Sequence, residues 1–389
     1  MNNIGKSINI FNTLKQISNK HIINSFTNRS LTTININGYK EKIYERSDYP
    51  VKKCSEILNK DIVSVIGYGP QGRGQALNLR DNDINVCVGV RKGNSWKNAV
   101  DDGWEPMVNL FEIDEACDRG SIISYLLSDA GQINQWDNIK PYLTENKALY
   151  FSHGFGITFS DKTNIIPPDN IDVIMVCPKG SGLTVRSHFL EGRGINSSYA
   201  IHNDYTGRSK ERAMAMAFGI GSGHVFETTF EKEVYSDLVG ERCVLMGLVQ
   251  GAFAAQYNVL RKRGHSPSEA YNETVEEALD SLYPLINQQG MDWLYKNCST
   301  TAQRGALDWA PIFERELTPV IDYCYQEVVN GNQAQKVINA NSNPEYREKL
   351  NNELEKMSSS ELWTVAKELR KLRPNNNKIE KDNWTGFLL

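Results

Sequence analysis

Several features are missing from this 389-residue chain, and each absence excludes a class of protein. No run of 18 apolar residues occurs, and the longest apolar stretches carry charges such as Arg242 and Arg261, so no membrane-spanning helix is expected. Paired cysteine spacings such as C-x-x-C are also missing. The seven cysteines are dispersed, which reads as reduced, mostly buried thiols and argues against secretion. There is no basic excess either: the formal charge is −4, which makes nucleic acid a poor partner. What remains, 40% hydrophobic and 23% charged, is the composition of a soluble globular protein long enough for two domains.

Acidic residues are absent from one region. Residues 1–40 hold Lys6, Lys15, Lys20, Arg29 and Lys40 but no Asp or Glu, so the other residues carry −9, five below the −4 of the whole chain. Ile8, Ile10, Phe11, Leu14 and Ile17 lie among Ser, Asn and Thr at spacings that share a helix face. Basic, acid-free, hydroxyl-rich and amphipathic is the pattern of an organelle transit peptide. The plainer alternative is a disordered basic tail. A secretory signal fits worse, because no apolar core of about 7–15 residues follows the first lysine.

From Asp61 the texture changes. Residues 61–67, 85–90, 121–127, 148–151 and 172–177 are short apolar runs read as buried strands, and Gln71 to Asp81 reads as a helix after the first. This alternation predicts a doubly wound parallel sheet of Rossmann type. After about Glu227 the strand signals stop. Phe230–Arg263, Ser268–Ile286, Thr318–Val329 and Asn343–Arg373 have helical periodicity, which predicts an all-α second domain. The expected organisation is a leader over 1–40, a dinucleotide-binding domain over 41–228, a helical domain over 229–375 and a tail over 376–389.

Gly67-Tyr68-Gly69-Pro70-Gln71-Gly72 is a G-x-G-x-x-G between a strand and a helix, the context that makes this string a dinucleotide fingerprint. The first glycine allows the turn, the second lets backbone approach a pyrophosphate, and the third lets helix and strand pack closely. Pro70 suits the helix start, where a missing N–H costs nothing. At the end of the second strand, an NAD site usually places an acid for the ribose hydroxyl. Here Arg91, Lys92, Asn94 and Ser95 stand instead, and two cations suit a 2′-phosphate, so NADPH is the expected cofactor.

In the second half, Asp237 and Glu241 are four residues apart, as are Glu273 and Glu277. Such pairs share a helix face and repel. A hard divalent cation such as magnesium would turn that repulsion into binding. A solvated acidic face, to which Glu233, Glu276 and Asp280 would also belong, is the plainer reading of the pattern.

Taken in order, G-Y-G-P-Q-G-R-G-Q-A-L-N-L-R-D from Gly67, F-S-H-G-F from Phe151 and P-K-G-S-G-L-T-V-R from Pro178 resemble the ketol-acid reductoisomerases. So do S-D-L-V-G-E-R from Ser236, E-T-V-E-E from Glu273 and C-S-T-T-A from Cys298. The resemblance runs from about Tyr44 to Pro374 and is to the short mitochondrial form of fungal type. It implies a magnesium-assisted alkyl shift in 2-acetolactate or 2-aceto-2-hydroxybutyrate, followed by hydride transfer from NADPH, in the mitochondrial matrix. It further implies two magnesium ions held by Asp237, Glu241, Glu273 and Glu277. Glu241 would also act near the migrating centre, Glu277 and Ser299 would touch substrate, and His153 and Lys179 would be catalytic. Ser128, His153 and Gly154 would join the fingerprint in holding the cofactor. The resemblance implies a homodimer at least, with the site shared between subunits, and a knotted helical domain. A simple NADP-linked hydroxy-acid dehydrogenase, a non-catalytic NADP sensor and an organellar nucleic-acid binder are the competing readings; a metal requirement separates the first from the reading favoured here.

Overall fold

A computed structural model describes residues 32–374. The basic leader up to residue 31 and the 376–389 tail lie outside the described residues.

Ten strands form one sheet: β1 (Thr32–Ile36), β2 (Tyr39–Glu45), β3 (Val63–Ile66), β4 (Val86–Gly89), β5 (Leu110–Phe111), β6 (Ile122–Tyr125), β7 (Ala148–Phe151), β8 (Asp172–Pro178), β9 (Ser197–Asn203) and β10 (His224–Glu227). Their order is β1-β2-β10-β9-β8-β7-β6-β3-β4-β5. From β8 to β5 every neighbour is parallel. The strand order reverses between β3 and β6, and in sheets of this kind ligands bind outside the carboxyl ends of the strands at such a point.

The sheet departs from the expected parallel one at its other end. β9 runs antiparallel to β8, and β2 antiparallel to β10. These strands lack a continuous apolar run: β9 opens on buried Ser197 and Ser198, β10 is four residues long, and β2, next to the edge, is mostly exposed. β1 and β2 form a hairpin turning on Asn37-Gly38, both at positive φ (50° and 90°), the turn that matches strand twist. Residues 32–40, assigned by composition to the leader, therefore belong to the sheet.

Helices cover both faces. Those used below are α1 (Pro70–Asp81), α2 (Asn94–Asp101), α3 (Asp129–Ile139), α4 (Gly182–Leu190), α5 (Phe230–Gly240), α6 (Gly247–Lys262) and α7 (Thr300–Val329). One face buries Val63, Val65, Ala76, Leu79, Ala213 and Met214, and the other Ile123, Tyr125, Trp136, Leu149 and Phe151. Five cysteines are buried and Cys298 and Cys324 half-buried, all with free thiols.

Beyond Glu227 the described residues contain no strand. The single helix expected over 230–263 is interrupted: Glu241–Leu245 forms a wide π turn in which Cys243 leaves helical geometry (φ −100°, ψ −114°). Phe230–Lys262 is nonetheless long and apolar enough, by length and composition, to span a membrane, which the sequence reading did not anticipate. Asn272–Leu282, carrying the second acidic pair, is also π-helical. π segments cluster at functional sites. α7 begins at Thr300, well before the expected Thr318, and contains Pro311 and Pro319. It leaves Leu307, Trp309, Phe313, Val320 and Tyr323 exposed, and Val244, Leu245 and Met246 of the π turn are exposed with them.

Candidate active site

The glycine loop follows β3 as expected. Gly67 sits at φ +101°, and a Cβ there would lie 2.8 Å from the Leu126 carbonyl oxygen; a Cβ on Gly72 would lie 2.1 Å from the Gly67 carbonyl. Both positions require glycine. Gly69 has nothing within 4 Å of its Cβ position, so the space above it is open to a phosphate at the N-terminus of α1, where Pro70 occupies the first turn. Tyr68 differs from expectation. Its ring is buried, and its hydroxyl donates to Asp102 (2.8 Å) and accepts from Trp104 Nε1 (2.7 Å). Arg73 grips the same carboxylate through Nε and Nη2. Tyr68 therefore braces the loop from behind and can offer a cofactor only backbone.

Arg91 and Lys92 are exposed after β4, and Asn94 and Ser95 open α2 behind Gly93. Lys92 lies 3.4 Å from Glu112, between exposed groups. Ser128 caps α3, its Oγ accepting from Gly131 N at 3.3 Å. These residues line the carboxyl edge of the sheet, where an NADPH molecule would lie.

His153 follows β7, and Lys179 follows β8. Between them Glu233, on α5, is almost fully buried (2% exposed), with Oε1 accepting from Lys179 Nζ at 2.8 Å and Oε2 lying 3.3 Å from His153 Nδ1. Asp237, one turn further along α5, brings Oδ2 to 3.3 Å from the same Nδ1. The imidazole contacts are ionic rather than linear hydrogen bonds: neither Nδ1 nor Glu233 Oε2 has a properly directed partner. Burial opposes charge on His153, yet the contact and charge of Glu233, then the charges of Asp129 and Asp237, raise it to about 9. Burial likewise opposes charge on Glu233, but His153 and Lys179 outweigh it and hold the carboxyl near about 2. Lys179 is raised as well, burial being overcome by Glu233. Asp237 and Glu241 are pushed up, first by burial and then by neighbouring carboxylates. His153, Glu233 and Asp237 form the cation-sized cluster found among the described residues.

Gly154, expected at the cofactor, has a packing role. It is buried, and a Cβ on it would lie 2.9 Å from Phe230, 3.1 Å from Met175 and 3.1 Å from Val234. It lets α5 approach the end of β7, which brings Glu233 and Asp237 to His153. The Thr229 side chain starts α5 by accepting from Lys232 N at 3.2 Å.

Glu233 was visible in the sequence only as one more acid. Its signal was the spacing Glu233–Asp237–Glu241, three carboxyls along one helix face, of which the first is buried and paired. The remaining expected residues are not brought together within one chain. Glu241 is half exposed at the π turn, 3.9 Å from Arg242. Glu273 and Glu277 are exposed and outside the cluster around His153, and Ser299 is exposed, capping α7 by accepting from Ala302 N at 3.2 Å.

Comparison with known proteins bears on the same two halves. Residues 57–225 match the acetohydroxy acid isomeroreductase NADPH-binding domain, and residues 230–375 match the ketol-acid reductoisomerase C-terminal domain. The mitochondrial ketol-acid reductoisomerase of Saccharomyces cerevisiae is 57% identical over 90% of this chain and 89% of its own, and that of Neurospora crassa is 55% identical over 90% and 87%. A relative from Desulfosudis oleivorans, named ketol-acid reductoisomerase (NAD(+)), is 53% identical over 90% of this chain and all of its own. The solved structure of an NADH-preferring ketol-acid reductoisomerase from an uncultured archaeon superposes with a TM-score of 0.77 at 34% identity, covering 86% of this chain and all of that one. These matches span the glycine-loop sheet and the helical half alike, and the chain belongs to the ketol-acid reductoisomerase family.

Proposed function

We propose that this chain carries its reaction at the carboxyl ends of β7 and β8, on the cluster of His153, Lys179, Glu233 and Asp237, with NADPH lying along the glycine loop. The enzyme is an NADPH-dependent oxidoreductase of branched-chain amino-acid synthesis in the mitochondrion. It converts 2-acetolactate or 2-aceto-2-hydroxybutyrate to 2,3-dihydroxy-3-methyl acids. The observation that carries the site assignment is Glu233: a buried carboxylate holding a lysine on one oxygen and a histidine on the other.

The donor set fits a hard divalent cation. Asp237 and Glu241 are carboxyls whose charged forms are disfavoured by burial and by a neighbouring carboxylate, Glu233 for Asp237 and Asp237 for Glu241, and a cation would reverse that cost. Asp237 and Glu241 would hold magnesium from this chain, and Glu273 and Glu277 would complete the shell. When bound, two magnesium ions supply Lewis-acid polarisation of the substrate oxygens, and NADPH supplies the hydride. Glu233 keeps Lys179 protonated and aimed at the open side of the site. Lys179 is then the group placed to pass a proton to a substrate oxygen, directly or through water. His153, fixed by two carboxylates, would wall the site on the side where NADPH binds.

Glu273, Glu277 and Ser299 are exposed, as is the apolar strip on α7 and the π turn. In this reading the strip meets a second copy of the chain, and those three residues reach the partner's cluster. The leader would then end before β1, not at residue 40, because removing 32–40 would strip β1 and the start of β2 from the sheet.

Subunit mixing tests the shared site. Asp237→Asn and Glu277→Gln chains, each inactive alone with magnesium, NADPH and 2-acetolactate, regain part of the activity when refolded together. Absence of any recovery in mixed dimers overturns the shared site.

A further inference from the structure

Behind the glycine loop a single buried amide connects the two halves of the site. Gln75 lies on α1 with no exposed surface. Its Nε2 donates to Gln71 Oε1 at 3.0 Å and to Ser152 Oγ at 2.7 Å, and its Oε1 accepts from the Tyr150 hydroxyl at 2.9 Å. Both amide hydrogens and the carbonyl oxygen are thus in use. Gln71 Nε2 passes the link on by donating to the Gly180 carbonyl at 3.0 Å, and the Tyr150 hydroxyl lies 3.4 Å from the Val176 carbonyl of β8.

The groups reached in this way are specific. Gln71 belongs to the loop that cradles phosphate. Ser152 precedes His153. Gly180 follows Lys179. The same parts are also packed without slack: a Cβ on Gly182 would lie 2.1 Å from the Pro70 carbonyl carbon, and one on Gly74 would lie 2.7 Å from the Gly182 carbonyl oxygen. A buried amide costs free energy unless fully hydrogen-bonded, and an apolar residue of the same size would pack this helix face more cheaply. Packing alone does not account for glutamine here.

We propose that Gln75 is a positioning residue: it holds the cofactor loop in register with His153 and Lys179, so that hydride donor and proton donor meet the same substrate carbonyl, one at carbon and the other at oxygen. The proposal takes the roles of His153 and Lys179 from the function proposed above.

The test uses the full chain with Gln75→Leu, which keeps the volume and removes all three hydrogen bonds, and Gln75→Glu, which keeps the acceptor for Tyr150 and loses the donors. NADPH affinity is read by fluorescence without magnesium or substrate, and turnover with 2-acetolactate and magnesium. Gln75→Leu is expected to stay folded by circular dichroism, with NADPH bound several-fold more weakly and kcat lowered about 10- to 100-fold, the effect of a displacement near 1 Å. Gln75→Glu is expected to regain kcat relative to the unsubstituted chain as pH falls, because its protonated carboxyl again offers Ser152 a donor. A residue that merely filled space would lower thermal stability without moving NADPH affinity, the kcat ratio or the pH profile. Folded Gln75→Leu with unchanged NADPH affinity and kcat overturns the proposal. If neither variant folds, Tyr150→Phe, which removes one hydroxyl, decides: a several-fold loss in both readings supports the role, and unchanged values reject it. Failure of the unsubstituted chain to turn over 2-acetolactate would count against the proposed function, while the NADPH affinities would still judge Gln75.

Discussion

Glu233 Oε1 accepts a hydrogen bond from Lys179 Nζ at 2.8 Å, although the two residues lie 54 positions apart on a helix and a strand end. The carboxylate is buried and the ammonium about one-third exposed (32%), so the cation faces the crevice while its counter-ion is held in the protein. The pair stores a proton where substrate would lie, and the other Glu233 oxygen fixes His153.

Glu233→Gln is therefore expected to lower kcat by about 100-fold, in the range found for loss of a positioned acid–base group. Stability should fall by about 1–3 kcal/mol, because Lys179 and His153 lose a charged partner. Steady-state kinetics and urea unfolding measure the two effects; unchanged kcat with a clear loss of stability would leave Glu233 a structural residue only.

The folding stability of the chain in chelator should depend on pH through the same cluster. Glu233 is held near about 2, below its ordinary 4.5, so its contribution is present above pH 4.5 and lost as pH falls toward 2. His153 is raised from 6.5 to about 9, so its contribution is present below pH 6.5 and lost as pH rises through 9. Urea midpoints across this range should show both limbs, and His153→Gln should flatten the alkaline one and shrink the acid one to what Lys179 alone supports.

Asp237 has the opposite sign. Burial, then Glu233, raises its pKa, so the ionised carboxylate destabilises the fold above the ordinary aspartate value. Without magnesium, Asp237→Asn should melt higher than the unsubstituted chain. With millimolar magnesium the order should reverse, because the ion binds and stabilises only the chain that keeps the ligand. Thermal melts with and without magnesium check this, and a magnesium-induced rise in Tm that survives in Asp237→Asn would remove Asp237 from the metal shell.

Gly154→Ala should push α5 from β7, since the new methyl would meet Phe230, Met175 and Val234 at about 3 Å. A stability cost of about 1–3 kcal/mol is expected from overpacking. kcat should fall further than NADPH affinity, because the displaced helix carries Glu233 and Asp237 while the glycine loop is untouched. Equal losses in both quantities would place Gly154 in the cofactor site instead.

Much of the fold was legible because its signals are local. A β-branched run ending in Gly67, followed by Gly69 and Gly72, can make only a tight strand-to-helix turn, and the apolar β6, β7 and β8 announce strands buried on both faces. β9 and β10 lie inside the sheet but carry no such signal: β9 opens on buried Ser197 and Ser198, the first hydrogen-bonded to Ser222, and β10 is only four residues long. Asn37-Gly38, a good hairpin signal, was submerged in a segment read for its charge.

The sequence by itself determined the dinucleotide-binding sheet, the helical second half, the basic loop suited to NADPH and the acids on one helix face. Each depends on residues close together in the chain, where spacing fixes geometry. Only the tertiary structure decided which acids are buried and paired. Burial singled out Glu233, the lack of a Cβ at Gly154 brought α5 to His153, and the sheet placed Lys179 beside both. It also turned the Tyr68 hydroxyl onto Asp102 and left Glu273, Glu277 and Ser299 exposed. Those outcomes follow from desolvation and close packing between distant segments, and neither quantity is written in local spacing.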